Sequence, residues 1–78
     1  MFISIKTLIS FMDDNIEFVK DAMVNHSNVT QEEYKEYLIN MQRKLNAQLN
    51  ELKRKSCNKK LIAKYEGLIQ GLFYGQIV

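Results

Sequence analysis

The stretch "NVTQEEYKEYLINMQRKLNAQLNELKRK", residues 28–55, settles the fold class of this chain. Tyr34, Leu38, Met41, Leu45, Leu49 and Leu52 recur at spacings of three and four, with Gln48 beside them, which is the stripe of an α-helix and not the alternation of a strand. Thr30 and Glu33 form a capping box ahead of that stripe, so the helix begins directly after Thr30. We expect it to run over residues 31–54, roughly 35 Å at 1.5 Å per residue. At 100° per residue its apolar side chains fill an arc of about 120°, and Glu36, Asn40, Arg43 and Asn50 lie opposite. A helix with one such stripe needs neighbours on one side.

The flanking segments supply them. Upstream, Ile5, Ile9, Met12, Ile16, Val19 and Met23 form a second stripe, giving an expected helix over residues 5–25. Its start is ambiguous, because Ser10 with Asp13 is an alternative cap to a start near Ser4, and "FISI" at 2–5 also suits extended chain. Leu8, Phe11, Phe18 and Ala22 lie beside this stripe and widen its apolar arc to about half the cylinder, so this helix must be covered on two sides. Downstream, Leu61, Ile62, Tyr65, Leu68, Ile69, Leu72 and Phe73 form a third stripe over residues 58–75, with Ser56 or Asn58 as its N-cap. The turn formers "NHSNVT" at 25–30 and "KSCN" at 55–58 are short connections, and the chain has no proline. Short connections make consecutive helices antiparallel, so we expect an all-α, up-down-up, three-helix domain spanning 1–78.

The third helix raises a question of its own. Ala63, Gly67, Gly71 and Gly75 are spaced by four, and the glycines are the only three in the chain. Each costs about 1 kcal/mol relative to alanine in a helix interior. On the helical wheel the row is centred about 140° from the apolar arc, so it does not serve the core stripe. Three explanations stay open: Gly75 ends the helix and the others are tolerated, the row seats another helix closely, or a ligand approaches bare backbone.

Composition narrows the setting. Seventy-eight residues make one domain whose core alone rarely supplies more than roughly 3–5 kcal/mol, so completion by a homo-oligomer, a dimer first of all, is expected. The lone Cys57 forms no internal disulfide, and the N-terminal "MFISIKTLISFM" lacks the features of a cleavable leader and is too short to span a bilayer; the expected location is the cytoplasm, with no membrane partner. Scarce arginine, absent tryptophan and plentiful asparagine, lysine, isoleucine and tyrosine suit AT-rich coding, as in a low-GC bacterium or its viruses. In length and composition the chain resembles the small helical proteins that bacteriophages encode to bind and disable host factors. That resemblance implies an inhibitor or sequestering protein in the host cytoplasm.

Charge adds a second possibility. Residues 53–64 carry Lys53, Arg54, Lys55, Lys59, Lys60 and Lys64 and no acid, leaving the rest of the chain at minus four. Such a cluster attracts an acidic protein surface, nucleic acid or a nucleotide, and equally complements the C-terminus of the second helix. His26 has no second histidine or cysteine beside it, and Cys57 has no base placed by sequence, so no catalytic residue, metal site or cofactor is expected. The contact surface of an interaction protein is expected at Phe11, Phe18, Ala63, Gly67, Gly71 and Tyr74. Nucleic-acid binding through 53–64 and oligomeric capture of a nucleotide are the alternatives.

Overall fold

The computed structural model describes residues 3–74. Within them the chain forms α1 (Ile5–Val24), a single 3₁₀ turn (His26–Asn28), α2 (Gln31–Lys55) and α3 (Lys59–Phe73). The expected boundaries hold to within two residues, and Gly75, expected to close the third helix, lies outside the described residues. Each helix is started by a polar side chain that accepts a hydrogen bond from the backbone N–H three residues on. Ser4 Oγ accepts from Thr7, Thr30 Oγ1 from Glu33 and Asn58 Oδ1 from Leu61, each at 3.1 Å. The ambiguity at the first helix is thereby resolved in favour of Ser4, which also donates from its hydroxyl to Thr7 Oγ1 at 2.9 Å. At the other end of α1, Asn25 donates both its backbone N–H and its side-chain amide to the carbonyl of Asp21. Lys53, Arg54 and Lys55 occupy the last turn of α2, where positive charge suits the helix dipole.

α2 is the spine. It packs against α1 along one edge of its apolar arc and against α3 along the other, while α1 and α3 meet over a shorter seam. The cross-section is flattened, with overall extents of 40 × 25 × 16 Å. The core is built from Leu8, Met12, Ile16 and Val19 of α1, Leu38, Leu45, Leu49 and Leu52 of α2, and Tyr65, Ile69 and Phe73 of α3. Two details differ from the sequence expectation. The buried line of α1 is rotated toward α2, so that Leu8 is buried while Ile5, Ile9 and Met23 are only half-buried. Leu68, expected in the third stripe, is exposed, because the α1/α3 seam does not close over it.

One polar group enters this core. Asn15 of α1 is buried, and its side-chain amide donates to Gln48 Oε1 of α2 at 3.0 Å. A buried amide without a partner costs about 1–3 kcal/mol, so this pair fixes the level at which the two antiparallel helices lie together. No buried side-chain nitrogen or oxygen among the described residues lacks a partner.

Leu45, fully buried on the spine, is the residue whose truncation best measures the core. Leu45→Ala is expected to cost about 2–5 kcal/mol, comparable with everything a core of this size supplies. Circular dichroism at 222 nm should show loss of most helicity at 25 °C, whereas the exposed Leu68→Ala should unfold near the parent. Equal melting curves for the two variants would place the core elsewhere.

Candidate interaction surface

The outward side of α3 carries no large side chain along its middle. Ala63, Gly67 and Gly71 are all exposed. A β-carbon built at Gly67 or at Gly71 has no neighbouring heavy atom within 4 Å beyond its own helix. Among the described residues, nothing is seated against Gly67 or Gly71. On its α1 side it borders a shallow groove, to which α1 contributes Ile16, Lys20 and Met23 and α3 contributes Gly67, Leu68, Gly71, Leu72 and Tyr74. Apart from Lys20 this lining has no charge. Tyr74, the C-terminal cap of α3, is 86 % exposed and stands at the groove's end. The open seam between α1 and α3 is what makes the groove, and the short side chains of α3 keep it shallow.

Further toward the N-terminus of α3, Tyr65 closes the seam. Its ring is buried and its hydroxyl donates to Asp13 Oδ1 of α1 at 2.7 Å. Burial pushes the phenol up from 10.0 to about 12, helped by that hydrogen bond and by the negative charge of Asp13. Lys64 adds a cation over the same ring at 5.5 Å from its centroid.

The basic segment 53–64 divides in two. Lys53 pairs with Glu66 across the α2/α3 junction at 3.2 Å, Arg54 pairs with Glu51, and Lys55 donates to the backbone carbonyl of Ile3 at 3.0 Å. Lys53 and Lys55 hold the end of α2 to its surroundings, while the Arg54 pair lies within the helix. Lys59, Lys60 and Lys64, in the first turns of α3, form no ion pair among the described residues and are exposed. Lys60 and Lys64, four residues apart, border the glycine row near the N-terminus of α3.

Phe11 and Phe18 lie on another surface. They stand seven residues apart on the flank of α1 that faces away from α3, Phe11 lining a small depression with Asn15, Lys44 and Gln48. At the closed end of the same flank, His26 stacks on Tyr34 at 4.2 Å between ring centroids, beside an apolar hollow lined by Ala22, Val29 and Tyr37 among others. The six expected contact residues thus fall into two groups on two faces, α3 with its groove and the outer flank of α1.

Comparison of the chain with protein-family models, curated proteins and solved structures finds no match. The candidate site therefore stands on its own geometry. Among the described residues no three of His, Cys, Asp and Glu are grouped to hold a metal ion, and no helix is long and apolar enough to cross a membrane. Cys57 is exposed in the connection between α2 and α3.

Two inter-helix contacts escape the sequence, Asn15 with Gln48 and Tyr65 with Asp13. Gln48 beside the α2 stripe hints at the first. Nothing in the spacing reveals the second, since Asp13 belongs to the polar side of α1 and reaches Tyr65 only because α3 lies across it.

The shifted phenol makes stability depend on pH. A folded-state value above the unfolded one favours the protonated form, so the contribution is complete below pH 10 and is lost as the pH rises from about 10 to about 12. Tyr65→Phe should cost about 0.5–1.5 kcal/mol at pH 7 and lose less of its remaining stability over that alkaline range than the parent does. Urea midpoints at pH 7 and pH 11 compare the two. A parent and variant that fall in parallel would remove the Tyr65 phenol from the account.

Proposed function

We propose that this chain is a small interaction protein that binds a host protein in the α1/α3 groove and thereby inhibits or sequesters it. The observation that carries the reading is the open space over Gly67 and Gly71. Two residues that cost helix stability, on a face that no described residue covers, are explained by a partner whose backbone or side chains approach closely there. Apolar Met23, Leu68 and Leu72 give that partner surface to bury, and Tyr74 offers an aromatic anchor of the kind that dominates interface energetics. The uncompensated Lys60 and Lys64 at one end favour a partner carrying acidic groups at the matching position. An origin in a phage or another mobile element, and action in the host cytoplasm, accord with the size and composition of the chain.

A second reading rests on Lys59, Lys60 and Lys64 alone: capture of a nucleic-acid backbone or a nucleotide at the start of α3. It differs from the first in its salt dependence, because phosphate binding through lysines falls steeply as counterions are restored. Apolar burial in the groove has no such dependence.

The two are separated by Gly71→Leu, whose side chain enters open space in the free chain and fills the groove. The variant should keep the helicity of the parent and lose the host protein that the parent bait retains in a pull-down at 0.5 M salt, where phosphate contacts are screened. Retention of the same protein by both baits would rule out the groove as its binding site.

A further inference from the structure

Phe11 and Phe18 are 46 % and 57 % exposed, and Tyr37 on the adjacent edge of α2 is 37 % exposed. These three aromatic rings share the α1/α2 face, remote from the glycine row. Charge on this face is mixed. Asp14 lies one turn from each phenylalanine, on the side of their line away from α2, and Lys44 lies on the opposite side, projecting from α2 into the depression beside Phe11. Both are exposed, and neither forms an ion pair or hydrogen bond among the described residues.

We infer that this face is the interface of a two-fold symmetric homodimer. A two-fold axis running along the helices, between α1 and α2, lays α1 of each copy antiparallel over α2 of the other. The phenylalanines of one copy then cover the partner's Tyr37 edge, and Asp14 of each copy comes over the partner's Lys44. Symmetry makes every contact occur twice, so a self-pairing surface must carry both signs of charge on opposite sides of its axis. The α1/α2 face does. The α1/α3 groove does not, since its one charged lining residue is Lys20. Pairing two copies through it would leave Lys20 without an acidic partner from the lining, so the groove has no charge pair to set its register. The second copy covers the flank of α1 that one copy leaves bare, and the groove stays free for a different molecule. The inference is independent of what occupies that groove.

Sedimentation equilibrium of the full chain tests it. The parent should sediment at twice its 9.2 kDa at concentrations of about 100 µM, a level that detects dimers with dissociation constants in the micromolar range. Phe18→Ser should sediment as a monomer with unchanged helicity. Asp14→Lys and Lys44→Asp should each weaken the dimer about tenfold or more, and the double variant should recover most of that loss. A monomeric parent overturns the proposal. So does a dimer that ignores both charge reversals, or one abolished by Gly71→Leu and untouched by Phe18→Ser.

Discussion

Leu38, Leu45 and Leu52 stand at seven-residue intervals on α2, each 1 % exposed or less, and both other helices depend on them. One helix with a single apolar stripe has to serve two neighbours, so α1 and α3 dock on its two edges and have only a short seam left for each other. Everything distinctive about the surface follows from that arrangement. The unclosed part of the seam is the groove beside Gly67 and Gly71, and the flank of α1 turned away from α3 is the aromatic face. A tighter triangular packing would have buried Leu68 and closed the groove.

Polar contacts set where the helices stop sliding. Apolar ridges alone tolerate displacement by a turn with modest loss, because leucine fits many leucine-lined gaps. Asn15 with Gln48 sets the level of α1 on α2, and Tyr65 with Asp13 sets the level of α3 on α1. The Lys53–Glu66 pair spans the α2/α3 junction at the surface, where an ion pair is worth little energetically. Every pair of helices thus carries one specific polar link. The positions of Phe18, Lys44, Gly71 and Tyr74 relative to one another follow from these links.

Local chemistry was legible in the sequence and its consequences in three dimensions were only partly so. The Thr30 cap, the choice of Asn58 over Ser56 as the cap of α3 and the α2 stripe depend on residues within a few positions of one another; the structure has the first and last as expected and selects Asn58. The start of α1 was ambiguous because Ser4 and Ser10 are equally good caps locally. The structure caps the helix with Ser4, which places Leu8 in the first turn, where it is buried. The rotation of the α1 core line toward Leu8, and the exposure of Leu68, depend on how far α1 and α3 diverge across α2, which no single wheel contains. The contact of Asp13 with Tyr65 depends on the same divergence. The wheel did separate the glycine row from the apolar arc of α3, and the structure adds that nothing among the described residues approaches a β-carbon at Gly67 or Gly71. It also separates Phe11 and Phe18 from that row, which the sequence treated as one class of contact residue.

The central claim is that Gly67 and Gly71 pack against nothing in the fold, which leaves them open to the contact proposed for them. Urea unfolding of the purified Gly67→Ala/Gly71→Ala chain measures this directly. With open space over both positions, alanine removes only the conformational cost of glycine, and stability should rise by about 1 kcal/mol per site. A double variant less stable than its parent would mean that the row is packed against something the chain needs in order to fold, and would contradict the account.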